Sequence, residues 1–174
     1  MRVLRTGVLV SAAILLCCGA LQAIELKDGG KELLTDFSYV DANGVGKTTD
    51  LSVAWGWLLT PNHEVGPVVS YAKFDPDGTS TTSTDGGSLG GFYNYNFSTS
   101  AKSIVPFVGA SLFKIIGDAD SSYNYGTEMT GGIRILPSQT ASVNVRAFYE
   151  KDYGKNTIED ADSTGIAAGL SIFW

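Results

Sequence analysis

The chain has 174 residues, a length that favours a single domain, with 44% hydrophobic residues and twelve basic against eighteen acidic side chains. This acidic balance, with no basic cluster, excludes an electrostatic footprint for nucleic acid. Beyond the first 23 residues no apolar run approaches the roughly 18–20 that a membrane-spanning helix needs, so a membrane-spanning reading requires a closed barrel.

The first element in chain order serves export. Arg2 and Arg5 form a basic start, Gly7 to Leu16 an apolar run, and small residues follow, with a cut after Ala23 or alternatively after Ala20. That combination is the pattern of a secretory signal peptide, here residues 1–23. Its apolar run is too short for a retained helical anchor, which needs about 20 residues. Cys17 and Cys18 are the two cysteines. Lipid attachment asks for a small residue before the modified cysteine, whereas Leu16 precedes Cys17 and Cys17 precedes Cys18. A mature chain from Ile24 has no cysteine, which excludes a disulfide scaffold and a cysteine metal site. It carries ten basic against eighteen acidic residues, a charge of about −8.

Residues 24–30 read as a short lead-in, and a period of two then takes over. Leu33, Thr35, Phe37 and Tyr39 share one face and Leu34, Asp36, Ser38 and Val40 the other, up to a turn at Asp41–Gly44. The second strand is the clearest, with Leu51, Val53, Trp55, Trp57 and Leu59 opposite Asp50, Ser52, Ala54 and Gly56. A 3.6-residue period would scatter its tryptophans around a helix axis. Thr60-Pro61-Asn62 closes a tight turn. The third strand sets Val65, Pro67, Val69 and Tyr71 against Glu64, Gly66, Val68, Ser70 and Ala72. Pro67 interrupts it, because proline cannot donate to a ladder.

Asp75 to Gly87 reads as a polar surface loop. The fourth strand places Leu89, Gly91, Tyr93, Tyr95 and Phe97 opposite Gly90, Phe92, Asn94 and Asn96, and Ser98–Ser103 is a turn. In the fifth, Ile104–Ile116, both faces are fairly apolar; Pro106, Val108, Ala110 and Leu112 are assigned outward and Phe107, Gly109, Ser111 and Phe113 inward. A loop from Gly117 to about Asn124 leads to the sixth, with Thr127, Met129, Gly131, Ile133 and Ile135 against Glu128, Thr130, Gly132 and Arg134, and then a turn at Leu136–Gln139. The seventh sets Val143, Val145, Ala147 and Tyr149 against Ser142, Asn144, Arg146, Phe148 and Glu150. After a loop from Lys151 to about Ser163, the eighth sets Ile166, Ala168, Leu170, Ile172 and Trp174 against Gly165, Ala167, Gly169, Ser171 and Phe173. The count is eight, an even number, each strand long enough to cross a bilayer at a tilt.

One face is large and apolar; the other is small or charged. An eight-stranded barrel has an interior just wide enough for side chains to fill, which suits Gly, Ala, Ser and a few long charged residues. The apolar face is therefore expected to meet lipid. Short connections after strands two, four and six, and longer polar ones after three, five and seven, match short periplasmic turns and longer outer loops. Tyr39, Tyr71 and Tyr149 then fall at the outer rim, with Trp57, Phe97 and Trp174 at the inner one. The expected fold is all-β: an eight-stranded antiparallel up-and-down transmembrane β-barrel over residues 31–174, inserted in a bacterial outer membrane after export. Residues 24–30 form its periplasmic lead-in.

The Pro106-Phe107-Val108-Gly109-Ala110 stretch is similar to a fifth-strand motif of OmpA-like eight-stranded outer-membrane barrels, and Gly169-Leu170-Ser171-Ile172-Phe173-Trp174 resembles their final strand. The resemblance covers the whole mature chain as a pattern. It implies that Leu170, Ile172 and Trp174 form the C-terminal signal read by the outer-membrane assembly machinery. Larger family members add a peptidoglycan-binding domain, for which no residues remain here.

The inward ionisable residues are Asp36, Asp50, Glu128 and Glu150 against Arg134 and Arg146, with Glu64 near the periplasmic mouth. Buried charges must be paired or hydrated, so this cluster is expected to be a satisfied polar plug, with Arg146 reaching Glu128 diagonally across the ladder. A gated ion path is the functional alternative. No catalytic residue is expected. Outer-leaflet lipid chemistry needs a His-assisted nucleophile near the outer rim, and His63, the sole histidine, sits in an inner turn. Asp75-Pro76-Asp77-Gly78 and Asp118-Ala119-Asp120 lack the six or more ordered oxygens of a calcium loop, and Gly44-Val45-Gly46-Lys47-Thr48 lacks the spacing and helix of a phosphate loop. Neither metal nor cofactor is implied. Expected partners are outer-membrane lipid, lipopolysaccharide and the assembly machinery, with the barrel a monomer. The expected role is envelope structure or surface interaction through the outer loops, against a narrow channel or hydrophobic-solute conduit, or a soluble periplasmic barrel binding a lipophile.

Overall fold

The computed structural model describes residues 26–42, 46–76, 83–97, 103–118, 122–157 and 159–174. Eight strands follow one another: β1 (Lys31–Ala42), β2 (Gly46–Thr60), β3 (His63–Pro76), β4 (Thr84–Asn96), β5 (Ile104–Gly117), β6 (Tyr123–Ser138), β7 (Ala141–Gly154) and β8 (Ala161–Phe173). Each pairs antiparallel with its neighbours, and β8 returns to β1, closing the barrel. At the seam, Lys31 and Trp174 exchange backbone N–H···O bonds of 3.0 and 3.1 Å.

The ladder fixes the stagger. Starting at Leu34, partners run through Ala54, Val68, Gly90, Phe113, Gly126 and Asp152 to Ala161 of β8, whereas Leu34 itself pairs with Ser171. Ala161 and Ser171 are ten residues apart, and that displacement around eight strands tilts them by about 40°.

The period-two reading holds in every strand, including the ambiguous β5, where Phe107 and Phe113 are buried and Val108 and Leu112 exposed. Val53, Trp55 and Leu170 are 42%, 37% and 61% exposed, while Asp36, Arg134, Asn94 and Asn144 are buried inside. The barrel is inside-out relative to a soluble one, with an outer apolar surface far beyond what a monomer shows to water. Pro67 lies within β3, and the β2–β3 register skips the pairs opposite Gly66 and Pro67, so its missing N–H breaks the ladder only locally.

Several boundaries differ from the sequence reading. The expected loop from Asp75 to Gly87 is shorter, because Asp75 and Pro76 complete β3 and Thr84–Gly87 begin β4. Likewise Lys151–Gly154 extend β7 and Ala161–Ser163 begin β8. Pairing continues past the apolar belt into polar residues that give no hydrophobic alternation. Leu136, expected in a turn, belongs to β6 and is fully buried, the turn itself being Gln139–Thr140. Residues 43–45 of the first expected turn, 98–102 of the Ser98–Ser103 turn, the expected signal peptide 1–23 and residues 24 and 25 of the lead-in lie outside the described residues.

The lead-in is not a free tail. Gly29, at φ +73°, donates its N–H to the Leu58 carbonyl at 2.8 Å, and the Leu58 N–H donates to the Gly30 carbonyl at 2.8 Å. This places Leu26 in a cluster with Leu58, Val105, Leu136 and Phe173, an apolar plug at the end of the barrel where β1 begins and β8 ends.

Candidate functional site: the barrel interior

Two arginine layers stand above the plug. In the lower one, Arg134 of β6 holds Glu32 of β1 through Nη1 and Glu64 of β3 through Nη2, each at 2.6 Å. All three side chains are at most 1% exposed. Asn94 Nδ2 donates to Glu64 Oε2 at 3.2 Å, and the guanidinium lies 5.1 Å from the centre of the Phe107 ring. Beside this layer Ser142 donates to Asn144 Oδ1 at 3.1 Å, and Asn144 Nδ2 donates to Ser171 Oγ at 2.6 Å. In the upper layer, Arg146 of β7 holds Asp36 at 2.9 Å and Glu128 at 2.7 Å, over the Phe148 ring.

Glycines on intervening strands make both layers possible. Glu32 pairs with Gly56 of β2, and a Cβ there would collide with the Glu64 carboxylate. Asp36 pairs with Gly169 of β8, where a Cβ would collide with Asp36 itself. Gly169 in turn pairs with Asn144, two residues before Arg146, so the bare backbone of β8 lets Asp36 reach across to that arginine.

The expected cluster is thus only partly brought together. Arg134, Arg146, Asp36 and Glu128 are paired as ions, and the Arg146–Glu128 contact forms. Its route differs from the expected diagonal: Glu128 stands opposite Glu150 and Arg146 opposite Gly132, so the long arginine spans four residues along the barrel. Glu64, the ladder partner of Leu58 at the plugged end, is buried as half of the lower carboxylate pair. Glu32 joins the site from outside the alternation that begins at Leu33, although it lies in phase with Leu34 and Asp36. Asp50 and Glu150 join neither arginine by an ion pair and face the space above Arg146 together with Asp152, another residue the sequence reading left in a loop.

The lumen is interrupted. A cavity of about 410 Å³ above Arg146 opens at the end away from the plug. Between the arginine layers only about 50 Å³ remains. Below Arg134 the apolar plug occupies the other end, where Leu26, Leu58, Leu136 and Phe173 also line a second cavity of about 310 Å³.

Outside, aromatic side chains mark both rims. At the plugged end Trp174 meets Trp55 edge-on at 5.0 Å, and Tyr95 meets Phe97 at 5.0 Å. His63 Nδ1 lies 2.8 Å from the Tyr93 hydroxyl, an exposed pair on the outer wall. At the open end Tyr71 donates to Asp85 at 3.2 Å and Tyr149 to Asp162 at 2.8 Å. Leu170, Ile172 and Trp174 all face outward on β8 and its end.

A closed eight-stranded barrel with an apolar exterior and a charged, side-chain-filled interior has the fold of small transmembrane β-barrels. The chain is similar to the N-terminal β-barrel domain of Pseudomonas aeruginosa OprF at 14% identity, with 84% of this chain and 98% of that chain covered and a TM-score of 0.55. It is similar to Neisserial surface protein A at 15% identity, over 82% and 95% of the two chains, with a TM-score of 0.60. A de novo designed transmembrane β-barrel matches at 15% identity over 87% and 100%, with a TM-score of 0.54. These likenesses are of fold. No protein-family model and no curated protein sequence matches the chain.

Proposed function

We propose that the protein is exported, cleaved after Ala23, and assembled in a bacterial outer membrane as a closed, non-enzymatic barrel. Its role is to reinforce the envelope and display the open-end loops as a contact surface. The observation that carries this reading is the sealed lumen: two arginine layers and an apolar plug lie in series below a cavity that opens at one end only. A wide aqueous pore takes about 16–18 strands, and this barrel has eight. The placement of His63 at the plugged rim, beside Tyr93 rather than a serine or cysteine, favours a non-catalytic role.

Outer-membrane lipid and lipopolysaccharide are the proposed surroundings of the apolar belt. The assembly machinery is the proposed reader of Leu170, Ile172 and Trp174, and the barrel acts as a monomer. Membrane fractionation with heat-modifiable gel migration tests the location, and planar-bilayer recording of refolded protein tests closure. The expected results are an outer-membrane fraction and no discrete conductance. Recovery in the soluble periplasm, or steady openings, would overturn the reading.

A further inference from the structure

The 410 Å³ cavity at the open end falls within the usual range of small-molecule sites, roughly 300–1,000 Å³. Arg146 forms its floor, and its walls mix apolar Val68, Phe74, Phe113 and Ile115 with hydroxyl groups. Six carboxylates line it; Asp85, Asp118 and Glu128 are engaged with other groups, which leaves three that face it from two sides, Asp50 on β2 and Glu150 and Asp152 on β7. Arg146 already serves Asp36 and Glu128, so these three have no ion-pair partner among the described residues.

Ser52 is an independent sign. Its side chain is only 9% exposed and lines this cavity, yet its hydroxyl has no hydrogen-bond partner among the described residues. A hydroxyl that faces this space both donates and accepts, and this one is placed to be satisfied from inside the cavity.

We infer that the cavity binds a small linear polyamine, a molecule carrying two or more ammonium groups on an alkyl chain. Asp50 and the Glu150–Asp152 side offer separate anchors for separated positive charges. Ser52, with the hydrogen-bonded Ser70–Ser88 pair, lines the same space with hydroxyl oxygens that accept N–H donors. The methylenes meet Val68 and Ile115, and the Phe113 ring is a surface that favours cations. A single metal ion fits poorly, because no group of three or more Asp, Glu, His or Cys converges as a ligand set among the described residues. An anion is disfavoured, since the one basic group at this level is already held by two carboxylates.

The test is calorimetric titration of refolded, detergent-solubilised protein with spermidine, together with amide chemical-shift mapping on the wild type. Saturable one-site binding is expected, weakened at least tenfold in the Asp50→Asn/Glu150→Gln double variant and little affected by magnesium at equal ionic strength. Shifts should centre on Ser52, Ser70 and Ser88. Absence of saturation, unchanged binding in a folded double variant, full displacement by magnesium, or shifts confined to the loops would each overturn the site. Should the double variant not fold, the wild-type map decides. Failure here leaves the closed-barrel reading standing, because conductance reads the plug and arginine layers rather than this cavity.

Discussion

Arg134 carries one positive charge between two carboxylates in a layer shut off from water, so removing it strands two buried negative charges. Breaking such a pair costs about 3–5 kcal/mol, whereas replacing the whole group by apolar residues of similar volume is often neutral. Arg134→Ala should therefore lower stability by about 3–5 kcal/mol in urea titration of the refolded barrel, and Glu32→Leu/Glu64→Leu/Arg134→Met should recover most of it. A triple variant as unstable as the single one would mean that the ions act through something other than their mutual compensation. Gly169→Ala tests the same scale from the wall: its methyl would strike the Asp36 carboxylate, an overpacking worth about 1–3 kcal/mol. Gly91→Ala is the control, since its Cβ meets only the Gly66 carbonyl, at 3.6 Å, and should be close to neutral. At this scale the period of two was enough to place Asp36, Glu128, Arg134 and Arg146 inside. It did not show which carboxylate each arginine takes, because the ten-residue stagger brings together side chains from strands that are not neighbours in sequence.

The lead-in behaves as part of the barrel. Two backbone bonds tie Gly29 and Gly30 to Leu58, and Leu26 enters the plug. Leu26→Ala should cost about 2 kcal/mol, the lower end of buried leucine truncations because the site lies at a barrel end. Urea unfolding measures it; a neutral effect would show that the lead-in merely rests on the mouth. This strap was illegible in the sequence, since residues 26–30 have no alternation and their order comes from backbone bonds to another strand. Strand ends were blurred for a related reason. Lys151–Gly154 continue a ladder whose energy lies in main-chain pairing, while their side chains are polar on both faces. The centres of β2 and β8 were plain because lipid outside and a narrow lumen inside impose opposite demands on successive residues.

At the scale of the molecule, the outward tryptophans report directly on the solvent that surrounds the wall. Trp55, Trp57 and Trp174 lie together near the plugged rim, with Trp55 37% exposed. In vesicles their fluorescence should be quenched strongly by lipids brominated on the acyl chain and weakly by aqueous iodide. The reverse pattern would contradict a lipid-facing belt. Aromatic side chains gather at both ends of the wall, the arrangement that anchors barrels at the two interfaces.

Closure is redundant along the axis, and that redundancy decides what a single lumen variant can do. Arg146→Ala removes the upper layer and joins the 410 Å³ cavity to the 50 Å³ void beneath it. Any ion entering that enlarged space still faces the Arg134 triad, whose side chains are at most 1% exposed, and then the five apolar side chains of the plug. Moving a charge past such a barrier without water carries a cost of several kcal/mol per ion. The variant should therefore stay as silent as the wild type in planar bilayers, although less stable, since Asp36 and Glu128 lose their partner. Discrete openings in Arg146→Ala alone would show that the upper layer is a gate and that the lower layer and plug yield to a passing ion.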